Sequence, residues 1–238
     1  VYWNKVYEPD HLKLDKEIEK ILEKKNISFK FFKGNILNEY QSITKNDGTP
    51  FKVFSPFWRN AEQVFLDAVP QKTSEIKKLK SKKTLFNSKD NFKQIMPKKD
   101  WFKKFDQYWK PSEDEAHKNL KEFISNRISK YGVDRDYPSI NGSSKLSPYI
   151  RNGQIHVAAI YEKSSKDIKK NISIRKYINE LGWREFSHSL INYFPQMLKG
   201  NLRKEFDRFP WEKNSKNLKA WKQGMTGYPI VDAGMREL

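Results

Sequence analysis

The sequence contains no cysteine. That excludes a disulfide framework, a thiolate zinc site, an iron–sulfur cluster and a thiol nucleophile, and it suits a reducing compartment. Long apolar runs are missing too: no stretch approaches the roughly 20 residues of a membrane span, and no signal-peptide pattern opens the chain. The four histidines stand at no metal-ligand spacing, so no metal is expected. Arginine is scarce beside lysine, nine against 38, although arginine is the residue whose planar fork best suits phosphate. Acids are few as well: 47 basic residues face 29 acidic ones, a formal net charge of +18 over 238 residues. A field of that sign favours polyanions such as nucleic acid. The expectation is a cytoplasmic protein with no membrane partner, built as one large domain or two smaller ones.

What is present falls into an ordered series. Val1-Tyr2-Trp3 reads as a strand already under way, and the helical pattern from Pro229 to Leu238 carries no stop signal, so the chain is expected to be an internal fragment. Between Asp10 and Lys25 the apolar residues Leu14, Ile18, Ile21 and Leu22 recur at helical spacing, and Ile27 to Phe32 reads as a strand. Strand, helix, strand implies a parallel α/β unit with a right-handed crossover, closed by the turn chemistry of Asn46-Asp47-Gly48-Thr49-Pro50. Residues 71–110 hold thirteen lysines, no arginine and four acids, which reads as a solvated connector able to meet phosphate as well. From Pro111 onward the pattern is helical. Ala116, Leu120, Phe123, Ile124 and Ile128 form one stripe within Glu113 to Lys130. Ile174, Tyr177, Ile178, Leu181, Phe186, Leu190 and Phe194 form another within Ile174 to Phe194. The predicted fold class is therefore α/β plus all-α: an α/β part over 1–45, a lysine-rich connector over 46–110 and a helical part over 111–238.

Three constellations carry possible chemistry. In Tyr131 to Gly153, Ser147 and Pro148 read as an N-cap and first helical residue. Just before them, Asn141-Gly142-Ser143-Ser144 and Lys145 offer hydroxyls, amides and a cation to an anion. A plain capped helix after a polar turn gives the same pattern. In Tyr177 to Phe194, residues Tyr177, Glu180, Trp183, Arg184 and Ser187 share one helical strip. Aromatic faces stack on nucleobases or a flavin and arginine pairs with phosphate. The competing reading is a helix interface with Trp183 in the core and Glu180–Arg184 as an i, i+4 ion pair, and His188 is read as structural or solvent-facing. In Ala220 to Leu238, Gly224 and Gly227 flank Thr226 in a turn ahead of Pro229, and upstream Phe209-Pro210-Trp211 sets an indole beside a turn.

Taken together and in this order, GTPFKVFSPFWR, RDYPSINGSSKLSPYIRNGQIH, NELGWREF, FPW and AWKQGMTGYPIVDAGMREL resemble the photolyase/cryptochrome family of flavoproteins, most of all its microbial class I cyclobutane pyrimidine dimer photolyases. The resemblance implies the end of an α/β antenna domain over 1–45 and the first half of a helical FAD-binding domain over 111–238. It implies FAD as cofactor, its phosphates held by Tyr131, Ser143, Ser144, Lys145, Leu146 and Ser147, with Tyr177 an aromatic wall. Ser143 stands where the family often has Thr, and Tyr177 where Trp is frequent; hydroxyl and ring are kept. Arg135, Glu180, Trp183, Arg184 and Ser187 match the surface that engages damaged DNA, with Trp183 the wall for a flipped dimer and Glu180 the carboxyl partner of a base. Trp211 matches the outermost tryptophan of the electron-transfer chain. A second antenna chromophore, folate or deazaflavin, stays unassigned, because Asp10-His11 replaces the Asn-Glu that holds folate in some members. The implied activity is that of a deoxyribodipyrimidine photo-lyase, a carbon–carbon lyase that splits pyrimidine dimers in UV-damaged DNA by light-driven electron transfer from reduced FAD. The alternatives are a cryptochrome photoreceptor and a flavin-free basic nucleic-acid-binding protein. The full-length protein is expected to be monomeric and nucleoid-associated while acting, and the fragment alone to be inactive.

Overall fold

The computed structural model describes residues 1–65 and 99–238, and most of the lysine-rich run lies outside the described residues. The chain divides into two compact units, Val1–Pro195 and Gln196–Leu238.

The first unit opens as its sequence pattern predicts. Strand β1 (Tyr2–Asn4) is followed by helix α1 (Pro9–Lys24) and strand β2 (Lys30–Phe32). The strands pair in parallel with Tyr2 opposite Lys30, Trp3 opposite Phe31 and Asn4 opposite Phe32. β2 is shorter than the predicted Ile27 to Phe32 because the chain is still leaving α1: Asn26 takes a left-handed φ of 51° and the Ile27 amide reaches back to the Leu22 carbonyl at 3.0 Å.

The helical part is built on one long element. Helix α2 spans Phe54–Phe65, α3 Glu113–Asn126, α4 Tyr131–Asp134, α5 Ser147–Arg151, α6 Val157–Ser164 and α7 Ile172–Tyr193. α7 packs against α2, α4 and α6. α3 starts at an N-cap in which the Ser112 hydroxyl accepts from the Glu115 amide at 3.1 Å. It ends at Asn126, with Arg127 as C-cap, rather than running to Lys130, because the Ile128 amide folds back onto the Phe123 carbonyl at 2.9 Å, which still buries Ile128. Asn171 caps α7 by accepting from the Ser173 amide at 2.7 Å. Leu120, Phe123, Ile160 and Ile178 are fully buried in this core, each burial contributing about 1.5–3 kcal/mol.

One predicted boundary shifts. Residues 54–65, assigned to the connector, form α2, whose Phe57, Trp58 and Ala61 are buried in the same core. Their 1-4-5-8 spacing with Phe54 is an amphipathic helix signal that the neighbouring lysine run outweighed. The segment between β2 and α2 ties the sheet to the helices. Asn35 donates to the Ile150 carbonyl and accepts from the Val157 amide at 3.0 Å, while the His156 ring meets the Gly34 carbonyl at 3.1 Å.

The second unit is held by local polar contacts. Helix α8 (Ser215–Lys222) is capped by Asn214, which accepts from the Asn217 amide at 3.0 Å. Helix α9 (Pro229–Glu237) starts at the predicted proline. Asp232 turns its carboxylate back to accept from the Thr226 amide at 2.7 Å, the Thr226 hydroxyl at 2.6 Å and the Gly227 amide at 3.0 Å.

Candidate functional site

The Asn141–Ser147 loop is pinned from below. The Arg127 guanidinium donates to the carbonyls of Asn141 at 3.2 Å and Ser143 at 2.8 Å, is ion-paired to Glu122 and lies over the Phe123 ring. Gly142 lies so close to the Asp134 backbone that a Cβ there would come within 2.6 Å of it, so no larger residue fits without moving the loop. Lys145 adopts a left-handed φ of 52° and Leu146 a right-handed helical conformation. Paired left- and right-handed residues turn successive amides toward one concavity, an anion-binding nest. The amides of Ser143, Ser144, Lys145 and Leu146 enter no backbone–backbone hydrogen bond among the described residues. Here the prediction is corrected in detail: Leu146, not Ser147, is the N-cap of α5, and no side chain caps it. α5 has five residues, too few for a macrodipole to matter much. Loop amides and hydroxyls, rather than a helix end, present the donors.

This loop forms one wall of a cavity of about 410 Å³. Tyr131, Ser143, Ser144, Lys145, Leu146 and Ser147 line it from one side and Tyr177, Glu180, Leu181 and Arg184 from α7. All seven residues predicted to hold the cofactor therefore meet at one cavity. Tyr131 and Tyr177 stand edge to face at 5.1 Å, and burial pushes the Tyr177 hydroxyl up to about 12 while its hydrogen bond from Ser144 pulls the other way. Both tyrosines stay neutral at physiological pH and offer a polar tip on an apolar wall.

The predicted strip on α7 splits. Tyr177, Glu180 and Arg184 face the cavity, whereas Trp183 and Ser187 lie on the neighbouring exposed face, with Trp183 at 46% exposure. Trp183 is therefore not in the core, although its ring meets Phe54 of α2, and the expected Glu180–Arg184 pair is replaced by other partners. Glu180 instead accepts from Arg135 at 2.6 Å, and Arg135 lies over the Tyr131 ring at 5.2 Å. Arg184 turns inward, donating to the Glu185 carboxylate at 2.8 Å and to the Asn35 carbonyl.

Glu185 is the residue that sequence reasoning missed. It is buried and accepts from the Leu37 amide at 2.7 Å as well as from Arg184. Burial pushes its carboxyl up to about 7 against the opposing pull of Arg184. Its signal was present: Ile178, Leu181 and Glu185 share one face, and an acid on an apolar stripe is seldom idle. His188 is half-buried rather than solvent-facing. Burial, assisted by Arg184, holds it down to about 4, so it is neutral. It lines a second cavity of about 260 Å³ together with Lys5, Tyr7, Glu8, Arg151 and Arg184. Asp10 and His11 do not line that cavity; His11 sits 3.6 Å from Glu8. Trp211, in the second unit, is 72% exposed and tilted against Phe209 at 4.7 Å.

Known proteins resemble the chain along its whole length. Residues 1–75 match the family model described as DNA photolyase, and residues 177–238 match that of the FAD binding domain of DNA photolyase. The deoxyribodipyrimidine photo-lyase of Agrobacterium fabrum is 34% identical over 244 residues, covering 100% of this chain and 50% of that protein. The photo-lyase of Alkalihalophilus pseudofirmus is 32% identical over 94% of this chain and 46% of its own length. Among solved structures, a bacterial class III photolyase from Agrobacterium tumefaciens superposes with a TM-score of 0.82 at 33% identity, over 100% of this chain and 50% of that one. An archaeal photolyase from Sulfolobus tokodaii, solved with two FAD molecules, gives 0.71 at 25% identity over 98% of this chain and 48% of that one. The chain spans about half the length of the relatives it matches. Matched at both ends by the family's own models and along its whole length by its members, the chain belongs to the DNA photolyase/cryptochrome family.

Proposed function

We propose that the serine-lined cavity holds FAD and that the protein repairs cyclobutane pyrimidine dimers in UV-damaged DNA in response to blue light. The observation that carries this reading is the meeting of a nest-forming, hydroxyl-rich loop, two cations and two tyrosine walls at one cavity in a chain of this family. The donor set fits a dinucleotide. The amides and hydroxyls of Ser143, Ser144 and Ser147, with Leu146 shaping the loop, would hold the diphosphate, since such nests favour concentrated negative charge. Lys145 and Arg184 add positive potential, and Tyr131 and Tyr177 exclude water beside it. Reduced FAD, once excited, would supply the electron that opens the cyclobutane ring and would take it back when the two pyrimidines have separated, with no net oxidation.

The residues of the chain then have separate tasks. Glu180, fixed by Arg135, presents a carboxylate at the cavity rim where it can accept from a base edge. Trp183 offers an exposed indole face on which an extruded base stacks, a contact worth about 1–3 kcal/mol per base. Arg135 and Ser187 complete the DNA-facing surface, whereas Arg184, expected there from the resemblance, is turned inward onto Glu185 and Asn35; the surplus of lysine supplies affinity independent of sequence. Extrusion is required because a dimer within the duplex cannot reach a cavity, and weakened pairing at the lesion lowers its cost. Trp211 is assigned as the outer tryptophan that passes electrons inward from solution, for which its exposure is suited. Residues 1–45 are assigned to the end of an antenna domain and 111–238 to the first half of the FAD-binding domain.

The test uses the protein at its full natural length with an oligonucleotide carrying one thymine dimer. Loss of the dimer under blue light but not in darkness, reduced at least tenfold by Trp183→Ala with flavin content unchanged, is the expected result. Bound flavin with no repair in either condition would transfer the assignment to a photoreceptor, a role consistent with the 28% identity to Cryptochrome-2 of Arabidopsis thaliana.

A further inference from the structure

Trp183 does not stand alone on the surface of α7. Its indole lies against the Phe54 ring with centroids 3.7 Å apart and planes 10° apart. Phe54 lies in turn nearly parallel to Trp58, at 6.3 Å and 12°. Trp58 is buried and fixed at its far end, where its indole N–H donates to Asn179 at 2.9 Å. Phe186 closes the side of the stack, edge-on to Phe54 at 6.0 Å and to Trp183 at 5.9 Å. Three rings therefore step outward from the core to the surface with their planes aligned, and the inner face of Trp183 is covered while its residue stays 46% exposed. Gly182 makes this possible, since a Cβ there would come within 2.5 Å of the Trp58 ring.

We infer that Phe54 is a positioning residue for damaged-base recognition: it backs the inner face of Trp183 so that the outer face is presented to an extruded base in a fixed plane. The inference rests on the reading of Trp183 as the wall for that base. Its physical basis is preorganisation. A tryptophan free to change rotamer must be immobilised when a base stacks on it, and that cost reduces affinity. One held by a stacked partner has already met the cost during folding. Among the described residues none of α2 lines the serine-lined cavity, so the loss of Phe54 should leave the cofactor in place.

The experiment is a double-mutant cycle on the flavin-loaded, full-length protein, reading the affinity ratio for a duplex with a single thymine dimer over the same duplex undamaged. Phe54→Leu, with Phe54→Met in parallel, keeps volume but removes the ring plane; Phe54→Tyr keeps the ring. Leu and Met are expected to lower the ratio about three- to tenfold, the range set by one aromatic pair, while Tyr restores it and flavin stoichiometry stays unchanged. In a Trp183→Ala background the same replacements should have no further effect. An equal loss in both backgrounds, or loss of flavin with both Leu and Met, would make Phe54 a general packing residue and overturn the inference. No loss from Phe54 variants where Trp183→Ala itself lowers the ratio would overturn it too. A neutral Trp183→Ala would instead show that the reading of Trp183 fails, and the inference with it.

Discussion

The two units of the chain are stabilised by different means. In Val1–Pro195 the buried residues form one apolar cluster to which α2, α3, α4, α6 and α7 all contribute, and its polar ties reach across the sequence: Arg184 to Asn35, Glu185 to Leu37, Trp58 to Asn179. In Gln196–Leu238 no large apolar side chain is buried. Asp232 is its one buried polar side chain, and the hydrogen bonds within this unit connect residues at most twelve positions apart, as in Arg236 to the Gly224 carbonyl at 2.8 Å. Hydrophobic burial therefore sustains the first unit, whereas caps and turns give the second its local shape. The serine-lined cavity belongs to the first kind of structure, which keeps its walls in place before any ligand arrives.

The largest effect separating the units should come from emptying the core. Phe123→Ala, at a fully buried position, is expected to cost about 3–5 kcal/mol in denaturant unfolding of the full-length protein. Trp221→Ala, at 47% exposure, should cost within about 0.5 kcal/mol. Comparable losses at both positions would erase the contrast. A smaller effect of opposite sign tests the same difference at two helical glycines. Gly182→Ala drives a methyl to 2.5 Å from the Trp58 ring and should destabilise by about 1–3 kcal/mol. Gly234→Ala meets nothing within 4 Å and should stabilise by about 0.5–1 kcal/mol through helix propensity.

The smallest effect is in pH dependence, and the two units should respond with opposite sign. Burial raises the Glu185 carboxyl to about 7. The folded chain thus holds that proton more tightly than the unfolded one, and stability from this group is highest below the ordinary glutamate value. It declines as pH rises toward 7. Glu185→Gln should flatten the urea midpoint across that window. Hydrogen bonds from Thr226 hold the Asp232 carboxyl below its usual range. The stabilisation of α9 by Asp232 is therefore present above about pH 4 and is lost as pH falls through its lowered value. Protection factors of the Thr226 and Gly227 amides, referred to the intrinsic exchange rate at each pH, that fall on acidification in wild type but not in Asp232→Asn check it.

This division also explains what the sequence revealed. Local signals were read well: the strand–helix–strand opening, the Pro229 start of α9 and the Gly224 and Gly227 turn, with φ of 62° and 86°, all depend on neighbours in the chain. Tyr131, the Ser143–Ser147 loop and Tyr177 were grouped by family resemblance, and they meet at one cavity. Long-range structure was not legible. Nothing near Glu185 in sequence announces Leu37, 148 positions away, and nothing near Trp183 announces Phe54. Trp183 and Tyr177 lie on one strip by helical spacing, yet one faces solvent and the other the core. Which side of a strip is covered depends on α2, whose apolar spacing was hidden by the lysine-rich stretch beside it. The N-cap lies at Leu146 rather than at the expected Ser147, because the left-handed Lys145 moves the start of α5 one residue earlier.

The most direct test of the central claim, that the serine-lined loop holds FAD, is the visible absorption spectrum of the purified full-length protein beside that of a Ser143→Ala, Ser144→Ala, Ser147→Ala variant, each given excess FAD and then desalted. Flavin bands at about one per chain in the wild type, lost from a variant whose unfolding transition is retained, are the result predicted. Equal flavin in both proteins, or none in a folded wild type, would contradict it.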